Sequence, residues 1–349
     1  MMYKVLHIFP ENEPLIAEHV KMLLSVRDAE FLLLSPQDPE SNAPDMVHLH
    51  GCWNYKTVRQ ALKAHHHGAR IVMSPHSGLE PWIVNERRVT EKMGKTLLWE
   101  RRAVERAYVM IVHGNMELEN LKALGWNPRM ETIRNAVVTN TITPEAMARQ
   151  TIDVYRKVMD SNTLELMEDN TRQMMALMLK AGITGDRHWV EPLSDQNYQI
   201  SPLSPIEWRR LLIYADQENI RTVIDHGARV LGISQPYIET EKIVCYLPTG
   251  YQRPKVSAIL VTDLVSELQK GKLSMRHLVE MDRMLRRNDI EDEKLTETLD
   301  ETRQLKFFRR LLQLLTEQTL IDEGFLPAEP LDDSGTKKLR RLLSTRQRI

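Results

Sequence analysis

Cysteine is scarce: Cys52 and Cys245 are the two present in 349 residues. They could close one bridge at most and form no Cys-x-x-Cys pair, which excludes a disulfide scaffold and the common thiolate metal motifs. Long apolar runs are also missing. Nothing approaches the ~18 consecutive apolar residues of a membrane-spanning helix. The apolar start at 1–9 is broken by Pro10 and Glu11 before it reaches signal-peptide length, which points to the cytoplasm. Charge of one sign is lacking too. Lys+Arg 47 against Asp+Glu 48 leaves a formal charge of -1, so no overall field draws the chain to nucleic acid or to an anionic membrane. No internal repeat suggests a solenoid. What remains is a globular composition, 42% hydrophobic and 27% charged, in a length that suits about two domains.

The chain changes character near residue 150. Up to there, β-rich runs at 3–9, 31–34, 46–50, 70–73, 108–112 and 130–133 alternate with helical periodicity at 15–26, 56–67, 89–106 and 116–124. Gly68 and Gly125 stand where helix C-caps favour glycine. Alternation of this kind implies right-handed crossovers, and the fold expected is α/β, a doubly wound parallel Rossmann-like sheet over residues 1–142. A mostly α-helical region follows: connecting helices at 143–182, a Pro- and Gly-containing linker at 183–206, a helical domain at 207–325 and a tail at 326–349. That tail carries Lys337, Lys338, Arg340, Arg341, Arg346 and Arg348 and reads as a solvated basic segment.

Ligands of open parallel sheets bind beyond the carboxyl ends of the strands, so the residues that follow each expected strand carry the functional reading. Here they are His50-Gly51-Cys52-Trp53-Asn54, then the stretch from Ser74 through His76, Ser77 and Glu80 to Trp82, then His113-Gly114-Asn115, then Arg134-Asn135. Imidazole, carboxylate and amide groups orient hydroxyls, and indole stacks on the apolar face of a sugar, so this rim suits a sugar or polyol. Bland readings stand beside it. His48 alternates with Val47 and Leu49 and reads as a satisfied core histidine, whereas His50 is as readily core as ligand. Trp53 and Trp82 could equally plug the core under their loops. His65-His66-His67 diverge by about 100° per residue on a helix and cannot converge on one ion, so no metal is expected, and no cofactor. Cys52 has no obvious base beyond His50 and is not expected to be a nucleophile.

The stretch Ser74-Pro75-His76-Ser77-Gly78-Leu79-Glu80-Pro81-Trp82 resembles the Ser-Pro-His-Gly-x-Leu-Glu-Pro-Trp segment of bacterial family four glycosyltransferases of the GT-B fold. Its neighbours occur in the family's order. His48-Leu49-His50-Gly51-Cys52-Trp53 is similar to His-x-His-Gly-x-Trp, and the passage from Glu100 to Met110 to the family's Glu-Arg to Ala-Asp-x-Ile helix-to-strand passage. The segments 115–125 and Ile133-Arg134-Asn135-Ala136-Val137 resemble two further motifs.

The likeness spans residues 3–140, the acceptor-binding half of such an enzyme. It implies catalytic roles for His76 and Glu80 and substrate binding by His50, Trp53, Asn54, Ser77, Trp82, Asn115 and Asn135. Four departures accompany it, one being His113-Gly114-Asn115 where the family has a small Ser-like residue after the fifth strand. The loop after the first strand reads Pro10-Glu11-Asn12-Glu13-Pro14 where the family carries a glycine pair for donor phosphates. The family's Asn-Gly is Asn135-Ala136. No second βα repeat follows residue 150, and Glu293 and Glu301 match the donor-half Glu spacing within a charged helix without its glycines. The resemblance therefore implies either a protein that serves glycosyl transfer with a nucleotide sugar presented by a partner, or a non-catalytic sugar-binding or protein-interaction module derived from such an enzyme, the helical half docking the partner.

Overall fold

Six β-rich runs pair into one sheet, and helices connect the successive strands except between the second and third, which a loop joins. The computed structural model describes residues 2–90, 95–190, 201–248, 250–287 and 290–345. The strands are β1 (Tyr3–Ile8), β2 (Phe31–Leu34), β3 (Met46–His50), β4 (Arg70–Ser74), β5 (Ala107–Val112) and β6 (Met130–Thr132). They lie in the order β2-β1-β3-β4-β5-β6, and every pairing is parallel. This is the expected α/β Rossmann-like sheet, and its strand order reverses between β1 and β3.

The helices of this unit are α1 (Pro14–Leu24), α2 (Tyr55–His66), α3 (Pro81–Thr90), α4 (Lys95–Arg106), α5 (Asn115–Leu124) and α6 (Pro144–Asp160). Alternation along the strands divides the side chains between two faces. Leu6, Ile8, Val47, Leu49, Ile71, Met73, Met110 and Val112 form one core with Val58, Ala61 and Leu62 of α2, Ala103 and Val104 of α4 and Leu121 of α5. The opposite face presents His7, His48 and His50, and there Tyr155 of α6 bonds His48 and His19 of α1 lies against His50. Helices thus cover both faces.

Two compact units divide between Met159 and Asp160. The break expected at 142/143 is therefore displaced, because α6 is tied to the sheet: Tyr155 reaches His48, and Arg70 donates to the Val158 carbonyl. The connecting helices expected at 143–182 are two, α6 and a second that follows a break. After α6 the chain turns through Asn162 at φ +45° before α7 (Asp169–Thr184) begins.

The second unit is helical and shows no strand among its described residues. It contains α7, α8 (Pro205–Gln217), α9 (Arg221–Val230), α10 (Val261–Glu267), α11 (Met275–Leu285), α12 (Asp292–Glu301), α13 (Leu305–Gln318) and α14 (Ser334–Thr345). Leu211, Leu264, Leu278, Phe308 and Leu312 sit at its centre. Helices α7 and α9 cross backbone to backbone, since a Cβ on Gly227 would lie 1.8 Å from the Met178 carbonyl oxygen and one on Gly182 2.1 Å from that of Val223.

The solvated basic tail is not what forms over 334–345. Leu339 and Leu343 of α14 are buried in the helical core, Arg340 pairs with Glu317 and Asp332, and Arg310 pairs with Asp333. An apolar stripe on the helix and acidic partners elsewhere in the unit outweigh the local excess of basic residues. Of the expected linker, residues 191–200 lie outside the described residues, and Arg187–Trp189 forms a short 3-10 turn. Residues 346–349 are likewise outside them.

Candidate functional site

At the carboxyl edge of the sheet, where the strand order reverses, a cleft of about 720 Å³ opens between the loops that follow β1, β3 and β4. Asn12 and Glu13 line it from the first loop, Trp53, Asn54 and Tyr55 from the second, and Pro75, His76 and Gly78 from the third. Ligands of open α/β sheets bind at such a switch point.

The loops around the cleft are held in uncommon conformations. Trp53, His76 and Ser77 take positive φ of 63°, 48° and 61°. Backbone strain of this kind is sustained only where surrounding contacts over-determine it. Two buried carboxylates supply those contacts. Glu117 of α5 accepts from the backbone N–H groups of Ser77 and His113, each at 2.7 Å, and Glu100 of α4 accepts from that of Trp53 at 2.9 Å. The Trp53 indole donates to the Gly78 carbonyl at 2.6 Å and stitches the second loop to the third.

Beside the cleft, six histidines from five segments meet. His7 of β1 registers with His48 of β3, and the tilted rings of His48 and His50 have centroids 3.8 Å apart because they are two residues apart on one face. Both His48 nitrogens are committed, Nδ1 to the Tyr155 hydroxyl at 2.6 Å and Nε2 to the Ser74 hydroxyl at 2.8 Å. It is the satisfied core histidine of the sequence reading. His50 bridges outward, with Nε2 3.0 Å from His7 Nδ1 and Nδ1 3.2 Å from His76 Nε2. On the rim, His19, His76 and His113 pack ring to ring, with centroids 4.5 to 5.1 Å apart. His19 Nδ1 faces the Asn135 side-chain oxygen at 3.0 Å, and His113 Nδ1 faces the Ile133 carbonyl at 2.9 Å.

Burial holds these imidazoles neutral. It is the first cause of the lowered pKa of His7, about 3, and of His19, about 4, with neighbouring histidines adding to the effect. His48, His50 and His76 are pushed well below the ordinary value for the same reasons. The Cys52 thiol is raised well above its usual range by burial and then by Glu100.

Of the residues singled out in the sequence, His50, Trp53, His76 and Asn135 gather at this edge. Trp53, Asn54 and His76 line the cleft itself, and His76 is partly exposed, as its position after Ser74-Pro75 suggests. Others do different work. Asn54 caps α2 by accepting from Lys56 and Thr57. Glu80 is buried and held by the Asn120 side chain of α5, so its carboxylate is not among the groups that line the cleft. Trp82 is 62% exposed and plugs no core. Asn115 and Ser77 are exposed, Asn115 in the first turn of α5. Among the described residues, His65, His66 and His67 form no converging group, as read from their spacing.

His7 and His19 escaped the sequence reading, as did the carboxylates Glu100 and Glu117. His7 carried a usable signal, because it alternates with Leu6 and Ile8 as His48 does with Val47 and Leu49. His19 carried none, since only the packing of α1 brings it to the rim. Compared with known proteins, the chain matches no family model, no curated protein and no solved structure. No helix among the described residues is long and apolar enough to cross a membrane.

Proposed function

We propose that the α/β unit binds a sugar or polyol in the switch-point cleft and has the role of an acceptor half in glycosyl transfer, with no donor site of its own. The observation that carries this reading is the lining of the cleft. An indole, a phenol, an amide, an imidazole and a carboxylate from Trp53, Tyr55, Asn54, His76 and Glu13 surround a volume suited to a small hydroxyl-rich molecule. Such a ligand needs apolar faces to stack on and paired donors and acceptors for its hydroxyls.

Two features argue against a phosphate in the same place. Glu13 is the N-cap of α1 and lines the cleft, so a carboxylate stands at the helix N-terminus that would otherwise attract an anion. Pro14 follows it at the first helical position, where a backbone N–H donor is lost. Transfer chemistry needs the leaving nucleotide stabilised electrostatically, and the helical second unit offers no parallel sheet for that purpose among its described residues. A nucleotide sugar would therefore be presented by a partner protein. His76 is the group placed to touch the acceptor, and Glu80 acts only as a buried support of its loop.

The test is calorimetric titration of the full chain with a panel of hexoses, polyols and short glycans, and separately with UDP, GDP and their sugar conjugates. Binding of an uncharged sugar that is weakened at least ~10-fold by Tyr55→Ala is expected, since Tyr55 is half exposed at the cleft mouth. Failure of every sugar to bind would refute the reading. Micromolar binding of a nucleotide sugar would overturn the missing donor site.

A further inference from the structure

We propose that His19, His76 and His113 form a binding site for one transition-metal dication of the zinc class. A ring nitrogen from each lies within 4.8 Å of those of the other two. Donors around a tetrahedral ion at 2.0–2.1 Å stand roughly 3.3 Å apart. Two of the three follow strand ends on loops, so a small inward rotation of the rings closes the difference.

The tautomers favour an ion. The Asn135 side-chain oxygen accepts from the Val137 N–H at 3.0 Å, which fixes it as oxygen, so His19 must donate to it from Nδ1–H. His113 must likewise donate from Nδ1–H to the Ile133 carbonyl. Both rings are thereby left with a bare lone pair on Nε2, and His113 Nε2 is buried with no hydrogen-bond partner among the described residues. Outer-shell carbonyl and amide acceptors that orient ligating imidazoles are the usual accompaniment of protein metal sites. A buried, unpartnered lone pair also needs an explanation in any fold.

The second histidine group, His7, His48 and His50, also holds a buried Nε2 without a hydrogen-bond partner among the described residues, on His7, but it is committed elsewhere. Both nitrogens of His48 are taken by Tyr155 and Ser74 and would have to release them, whereas the His76 ring has one nitrogen, Nε2, against His50. Three imidazoles without thiolate or carboxylate select zinc, copper, nickel or ferrous iron over magnesium and calcium. His76 also borders the cleft, so an ion held by the three rings would lie beside the space where a ligand enters. This inference stands whether or not the cleft takes a sugar.

The experiment is zinc titration of the full chain, first stripped with a chelator, followed by calorimetry, together with the visible absorption of the cobalt-loaded protein. One zinc equivalent is expected, with a cobalt spectrum of low coordination number. His19→Ala and His113→Ala should each weaken binding at least ~100-fold, and Asn135→Leu about 10–100-fold, while Asn135→Asp, which keeps the acceptor, should retain it. Circular dichroism identifies any histidine variant that fails to fold, in which case the two Asn135 variants decide. Replacing His65, His66 and His67 together by alanine should leave the site intact. Absence of zinc binding, its loss with that surface run, or unchanged affinity in the His19, His113 and Asn135→Leu variants would overturn the proposal.

Discussion

Removing His48 should destabilise the α/β unit far more than removing His76, although the two rings belong to one cluster. His48 is 1% exposed, and its two hydrogen bonds run to the Tyr155 hydroxyl and the Ser74 hydroxyl, themselves fully buried. His48→Ala leaves both hydroxyls without that partner and opens a ring-sized void between β3 and α6. At about 1–3 kcal/mol for each buried group left unsatisfied, with a further term for the void, the loss is on the order of 3–6 kcal/mol. That is a large share of the ~5–15 kcal/mol that holds a domain together. Tyr155→Phe removes one of those hydrogen bonds without the void and should cost about 1–3 kcal/mol. His76 is partly exposed and bonds His50 beside the cleft, where water can take its place, so His76→Ala should cost about 1 kcal/mol or less. Urea unfolding gives the free energies, and hydrogen exchange of peptides from β3 and β4 assigns them to this unit. Equal losses in His48→Ala and His76→Ala would refute the division of the cluster into a structural end and a ligand-facing end.

Two further outcomes follow from the packing. Gly227→Ala adds a residue with a helix propensity better by about 1 kcal/mol, but its Cβ would meet the Met178 carbonyl oxygen at 1.8 Å, an atom that moves only with its helix. A net loss of roughly 2–4 kcal/mol in the helical unit is expected, and thermal denaturation showing equal or higher stability would contradict it. Stability should also depend on pH through His7, His19, His48, His50 and His76, whose folded pKa values all lie below the unfolded value of about 6.5. Below that pH the unfolded chain binds protons that the folded chain does not, so stability is lost as pH falls, and none of these groups acts above about pH 7. Urea titrations of the chain in chelator-containing buffer should show a plateau above pH 7 and a steep fall below 6, and a flat profile to pH 5 would sink the assignment.

The parallel sheet was legible in the sequence because its signals are local. Apolar alternation, helical periodicity and the breakers between them placed all six strands to within a residue or two. Local signals also led to His48 as a core residue, to the diverging run at 65–67 and to a rim where His50, Trp53, His76 and Asn135 meet, since a parallel sheet sends its strand ends to one edge. Tertiary structure decided what depends on partners remote in sequence. The boundary lies after Met159 because Tyr155 finds His48, and the basic C-terminal helix is anchored because Arg340 finds Glu317. Glu80, expected on the rim, is buried and bonded to Asn120 and does not line the cleft. The histidine cluster owes its membership to the same cause: His19 arrives from α1 and Asn135 from the loop after β6, and only the crossovers that bring those segments beside β3 and β4 give the rim its chemistry. Periodicity reports which face a side chain occupies, whereas its hydrogen bonds and its charge state depend on what the fold sets opposite that face.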